Sequence, residues 1–198
     1  HRGAEYSWSV WLFLKDSDID STLHNVFVKG DSNFDASGVN LLNGPGLYLQ
    51  SNPVSGSTTK EYSLQVVMDH NNGQEISGTD SGRDIITVNS IPILKWVHVT
   101  IRLQNKMVDV YVNGVIAKRH NMIDAPKQNF NDVTVCGNTG FPGKLSDLRY
   151  HSYAMNVFEI NNIVMFGPNT SPSELSIDSK AKTGNYSYLS NSWYSSKY

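Results

Sequence analysis

Residues 91–121, IPILKWVHVTIRLQNKMVDVYVNGVIAKRHN, restrict the fold more than any other stretch of the chain. Val97, Val99, Ile101 and Leu103 alternate with His98, Thr100 and Arg102, and Val108, Val110 and Val112 alternate with Met107, Asp109 and Tyr111. Successive side chains of a strand point to opposite faces, so each run carries one apolar face. Asn113-Gly114 is the favoured pair for a two-residue type I′ hairpin, because both positions need positive φ. Gln104-Asn105-Lys106 is also of hairpin length, and Val115 to Lys118 would return antiparallel. The segment reads as a three-stranded meander whose apolar face other strands must cover.

Other strands are at hand. Tyr6 to Leu14 starts as an alternating run, but Trp11 and Phe13 make its second half apolar on both sides, as in a central strand covered on both faces. Val26 to Lys29, Leu47 to Gln50, Tyr62 to Met68, Ile85 to Val88, Val133 to Cys136 and Lys144 to Tyr150 read as further strands. Gly44-Pro45-Gly46 reads as a turn, and Asn52 to Lys60 and Asn71 to Arg83 read as long polar loops. Val157, Ile160 and Val164 have helical spacing after Asn156, a good cap, so one short helix is expected near 156–164. The expectation is an all-β, two-sheet antiparallel sandwich over residues 1–167, followed by a polar extension, 168–198, with scattered aromatics.

Composition narrows the partners. With 198 residues, 16 basic against 18 acidic, and no basic run, nucleic acid is not an expected ligand. No apolar run approaches the roughly 20 residues that span a bilayer. The single Cys136 makes no internal disulfide, and the sequence reading treats it as a small buried hydrophobe. The six histidines are dispersed, and His98 is expected to pack or hydrogen-bond on the outer face of its strand.

The blocks SVWLFLK, VFVKGD, PGLYL, the meander, and GFPGKLSDLRYHSYAMNVFEINNIV follow one another over residues 6–166. In order and spacing they resemble the concanavalin A-like jelly roll of the laminin G type. That resemblance implies two curved antiparallel sheets and, for most members, binding of glycans or proteins. A narrower similarity, carried by Ile91-Pro-Ile-Leu-Lys-Trp96, Ala125-Pro-Lys-Gln-Asn129, Gly140-Phe-Pro-Gly-Lys144 and Gly167-Pro-Asn169, is to laminin G-like proteins encoded by large DNA viruses of algae and protists. It implies a virion component, with an anchor or strand upstream of His1, or otherwise an extracellular or cell-surface protein.

Related glucanases place Glu-x-Asp-x-x-Glu on one strand, because glycoside cleavage needs two opposed carboxyl groups. Here Glu5, Glu61, Glu75, Glu159 and Glu174 each stand outside such a triplet, so no catalytic residue and no enzyme activity is expected. Calcium sites occur in laminin G-like folds, and Asp31, Asn33 and Asp35 offer the hard oxygens that Ca²⁺ takes, with Asp16-x-Asp18-x-Asp20 as a second acidic run. The competing reading of such turns is carboxylates bonded to their own backbone. Tyr48, Tyr62 and Tyr111 are candidates for sugar stacking, against a core role for the same rings. Tyr186, Tyr188, Trp193 and Tyr194 suit a partner-binding tail. The reading is a binding or assembly module whose partners are other structural proteins or, alternatively, glycans.

Overall fold

The computed structural model describes residues 4–15, 21–53, 60–70, 82–138 and 140–171. The chain divides into two compact units, His1–Pro168 and Asn169–Tyr198. The first holds β1 (Glu5–Leu14), β2 (His24–Gly30), β3 (Asn43–Pro53), β4 (Lys60–Asp69), β5 (Arg83–Val88), β6 (Trp96–Gln104), β7 (Met107–Val112), β8 (Val115–Asn121), β9 (Val133–Val135), β10 (Gly143–His151) and α1 (Val157–Phe166). They pair antiparallel as two five-stranded sheets, β10-β1-β6-β7-β8 and β5-β4-β3-β2-β9. This is the two-sheet sandwich the alternation predicts.

The meander forms as expected. Val99 pairs with Val112 and Leu103 with Val108, and the β7–β8 turn has φ of 50° at Asn113 and 83° at Gly114. β1 sits between β10 and β6, as its two-sided apolar run requires. Trp8, Val10, Leu12 and Leu14 face inward with Val97, Val99, Ile101 and Leu103, and pack on Phe27, Leu47, Leu49, Leu64, Val66 and Met68 of the second sheet. Burying each such side chain contributes about 1.5–3 kcal/mol.

Three local expectations are corrected. Gly44-Pro45-Gly46 lies inside β3, and Gly46 is needed there for close approach: a Cβ would stand 2.3 Å from Asn43 Oδ1 and 2.7 Å from the Tyr48 ring. Alternation in β10 breaks at Asp147, φ 50°, where the pairing steps from Ser9↔Arg149 to Trp11↔Ser146 and leaves one extra residue on β10. Such a bulge re-aims the side chains beside it. Cys136 is exposed rather than buried, in the turn that leaves β9.

Each sheet's outer face is also covered. α1 covers the first, placing Ile160 and Ile163 with Met155 against Tyr111. Its capping box is complete: Asn156 Oδ1 accepts from Glu159 N, and Asn156 N donates to Glu159 Oε2. The approach to α1 is fixed by Ser7, whose hydroxyl donates to Tyr153 O and accepts from Met155 N, and by Arg102 Nε donating to Met155 O. Loop 31–42 covers the second face, with Val39 packed on Tyr48 and Val67. Among the described residues no helix is long and apolar enough to cross a membrane.

Candidate functional site

The two sheets diverge at one edge, where β1 and β10 of the first lie over β2 and β9 of the second, and a groove of about 620 Å³ opens between them. Tyr6, Trp8 and Tyr150 form its first wall, Lys29 and Val133 its second, and residues 126–130 its rim. Tyr150 packs on Trp8 at 5.0 Å between ring centroids and on Tyr6 at 6.2 Å. Trp8 in turn meets Phe27 across the sandwich at 5.2 Å, so the wall is anchored in the core. Burial, and then Tyr150, push the Tyr6 phenol far above its usual range, and its hydroxyl donates to Met68 Sδ at 3.8 Å.

The rim is held by backbone and amide bonds. Pro126 bridges to His70, Lys127 N donates to Asp69 O at 2.8 Å, and Asn129 Nδ2 donates to Lys29 O at 3.3 Å. Lys29 Nζ donates to Asn131 O. Gly44 permits this packing, since a Cβ there would sit 2.8 Å from Asn129 Nδ2. Two features of the rim remain unexplained by folding. Phe130 is 100% exposed, and Asn129 Oδ1 is buried with no hydrogen-bond partner. A buried acceptor without a donor is rare in a finished structure, and this one lies beneath the groove surface.

The groove therefore offers aromatic surface from Trp8, Phe130 and the 55%-exposed Tyr150, an exposed amide at Gln128, and ammonium groups at Lys29 and Lys127. Apolar walls with few polar groups, at this volume, are the usual make-up of a ligand site. Among its described lining residues, Glu5 is the one carboxylate, so it offers no opposed acid pair.

None of these residues was singled out by sequence as a site. One signal was available: Phe130 is a lone aromatic in KQNFND, where neither a strand pattern nor a core would place it. The convergence of Tyr150 on Trp8 depends on β10 pairing with β1, which no local pattern announces.

The residues that sequence did propose lie elsewhere. Tyr48, Tyr62 and Tyr111 are 0%, 5% and 3% exposed, so none presents a ring face to a sugar. Tyr62 belongs to the core between the sheets, Tyr48 lies beneath loop 31–42, and Tyr111 lies beneath α1. The core role weighed for these rings is the one they have. Burial pushes the Tyr48 phenol up to about 12, and its hydroxyl donates to Asn40 Oδ1 or Asn43 Oδ1 and accepts from Asn40 N.

Asp31, Asn33 and Asp35 do not fit a calcium ion. Asp31 Oδ1 accepts from Asn33 N at 2.9 Å and from Asn33 Nδ2 at 2.8 Å. Asp35 Oδ1 accepts from Ser37 N, Ser37 Oγ and Val39 N, while its Oδ2 faces Arg83 Nη1 at 3.2 Å. Burial pushes the Asp35 carboxyl up, but the bonds from Ser37, Val39 and Arg83 outweigh it and hold the group below its usual value. Ca²⁺ takes six to eight oxygens, and here the carboxylate oxygens are met by N–H and O–H donors, with a guanidinium against Asp35. Among the described residues no three His, Cys, Asp or Glu side chains converge on one point. Asp16, Asp18 and Asp20, and Tyr186, Tyr188, Trp193 and Tyr194, lie outside the described residues.

The family model described as the concanavalin A-like lectin/glucanases superfamily, of laminin G type, matches residues 2–161. No curated protein matches the sequence. Among solved structures, the chain is similar to the binding domain of botulinum neurotoxin DC in complex with SialylT, at TM-score 0.53 and 14% identity over 82% of this chain and 35% of that one. It is likewise similar to the same domain in complex with rat synaptotagmin II, at TM-score 0.53 and 15% identity over 82% and 36%. The botulinum neurotoxin type G receptor binding domain gives TM-score 0.52 and 13% identity over 82% and 38%. The chain thus spans little more than a third of these structures, and likeness at such identity is likeness of fold.

Proposed function

The chain belongs to the concanavalin A-like lectin/glucanases superfamily, and on that footing we propose that it is a non-catalytic binding module that seats a glycan in the edge groove. The observation that carries this reading is the half-exposed Tyr150 ring and the fully exposed Phe130 ring lining one groove. A sugar presents an apolar ring face to aromatic surface and hydroxyls to amides, and the groove supplies both. The similar toxin binding domains have been seen in complex with SialylT and with rat synaptotagmin II, and this chain matches about a third of each of those chains.

The test is a glycan array probed with the wild-type chain and with Tyr150→Ala, each with and without chelator. Binding to defined oligosaccharides that is lost in the variant and indifferent to chelator is expected. Binding unchanged in the variant, or abolished by chelator, contradicts the reading. Incubation with β-glucans is expected to release no product, and turnover would overturn the non-catalytic assignment.

A second reading is assembly at a particle or cell surface, as in the virion of a large DNA virus, where the chain would contact other structural proteins. One observation favours it: Phe158, Met165 and Phe166 project from α1 into solvent. Exposed apolar patches of this kind mark contact surfaces. Copurification with particles tests it, and absence from purified particles removes it.

A further inference from the structure

α1 is apolar on two sides, and the sheet beneath it uses one of them. Ile160 and Ile163 pack with Met155 on Tyr111, whereas Phe158, Met165 and Phe166 are 81%, 83% and 90% exposed. A surface helix normally carries one apolar stripe, and a helix apolar all round is normally buried all round. Rolling α1 does not hide its outer side. The capping box fixes the first turn, and Asn161 is seated on Gly114, where a Cβ would stand 2.3 Å from Asn161 Oδ1. Cover for the outer side has to come from another surface.

The order of residues on that side selects the cover. At 3.6 residues per turn, Phe158, Asn162, Met165 and Phe166 share an arc of about 100°, turned away from Ile160 and Ile163. Phe158 and Phe166 stand four residues before and four residues after Asn162. Turning the helix end over end about Asn162 therefore places phenylalanine where phenylalanine was, so the face is complementary to itself in an antiparallel pair. Asn162 is exposed, and an amide carries both donor and acceptor, so two such side chains on the axis can exchange two hydrogen bonds. We propose that this face binds a second copy of the chain, the two α1 helices crossing antiparallel about a two-fold axis at Asn162, with Phe158 of each copy packed on Phe166 of the other.

Charge and area favour that occupant. Glu159 is the one charged residue of α1, and its oxygens accept from Asn156 N and the Tyr153 hydroxyl, so no like charges meet on the axis. A lipid surface is disfavoured, because helices that lie on membranes carry Lys or Arg along their polar side and α1 has neither. Phe158, Met165 and Phe166 together expose roughly 500 Å² per copy, or about 1,000 Å² for two, which reaches the lower bound of a specific interface. A two-fold contact uses the same face on both copies and closes on itself. The proposal rests on the second reading above, in which the outer side of α1 is a contact surface, and names the partner of that surface. α1 lines no part of the edge groove, so the glycan reading stands apart from it.

Sedimentation velocity of the full chain over about 1–200 µM is expected to show a reversible monomer–dimer equilibrium with a Kd of about 1–100 µM. Phe158→Lys and Phe166→Glu lie at positions open to solvent, so the far-UV circular dichroism is expected to stay unchanged while each weakens the dimer at least tenfold. Mixing the two variants is expected to restore the dimer, because the antiparallel register sets the introduced ammonium against the introduced carboxylate and keeps one phenylalanine pair. A chain that is monomeric throughout, whether or not it floats with phosphatidylserine vesicles, overturns the inference. So does either variant dimerising like the wild type, or a mixture no more dimeric than its parts. A dimer of a chain absent from purified particles leaves this inference standing while the assembly reading fails, and a monomer that copurifies with particles does the reverse.

Discussion

Loop 31–42 and the rim at 126–130 are both polar segments laid against the second sheet, yet they treat their polar groups in opposite ways. In the loop, Arg83 is the hub: Nε donates to Asp69 Oδ1 at 2.9 Å, Nη1 to Asp35 Oδ2 at 3.2 Å, and Nη2 to Asn40 O at 3.1 Å. Asp69 Oδ2 accepts from Asn43 N at 2.8 Å, and Tyr48 ties Asn40 to Asn43. Burial draws the Arg83 guanidinium down, but its bonds and charge contacts with Asp69 and Asp35 prevail and hold it above its usual value. In the rim, by contrast, Asn129 Oδ1 has no donor and Phe130 has no cover. Groups that satisfy one another hold a fold together, and a ring left uncovered at a groove is available to a ligand.

Substitutions break this comparison most sharply at the hub. Arg83→Ala leaves buried Asp69 without its counter-charge, and a loss of about 3–5 kcal/mol is expected from the urea midpoint. A loss within about 0.5 kcal/mol would mean the network is ornamental.

The face under α1 sharpens the contrast through pH. Burial pulls the His98 imidazole down from 6.5 to about 4, so folding favours its neutral form. That stabilisation is whole above pH 6.5 and is lost as the pH falls toward 4, about 3 kcal/mol in all. Unfolding at pH 7 and pH 4.5 is expected to show a steeper loss for the wild type than for His98→Phe, and parallel losses would refute the assignment.

Tyr48→Phe removes one hydroxyl but strands Asn40 N and Asn43 Oδ1, while Asn40 Oδ1 keeps the bond from Asn25 Nδ2. The expected loss is about 2 kcal/mol, read from the same midpoints. At the groove wall the order reverses. Tyr150→Ala is expected to cost about 1 kcal/mol or less in stability while removing glycan binding, because the ring is half exposed. Smallest of all, millimolar calcium or chelator is expected to leave the thermal midpoint unchanged, since Asp31 and Asp35 already have their partners.

The sheet architecture was legible in the sequence because period-2 alternation and the Asn113-Gly114 turn are local signals, and the Asn156 cap marked α1 in the same way. The covers and the groove were not. Tyr48 and Tyr111 sit on the faces that alternation marks as outward, and only loop 31–42 and α1, folding back from distant positions, turn those faces inward. Asp31 and Asp35 look alike as ligands and as turn formers until Arg83, 48 residues after Asp35, is brought beside them. Tyr150, Asn129 and Lys29 come together only through strand pairing and the seat that Gly44 gives the rim. Where a site is assembled from separate elements, residue type at a single position says little about it.

The most direct test is to map amide and side-chain shifts of the full chain on titration with the oligosaccharide that binds best on the array. The largest changes are predicted at Trp8, Asn129, Phe130 and Tyr150, with loop 31–42 silent. Changes centred on Asp31, Asp35 and Arg83, or no saturable change anywhere, would contradict the assignment of the groove.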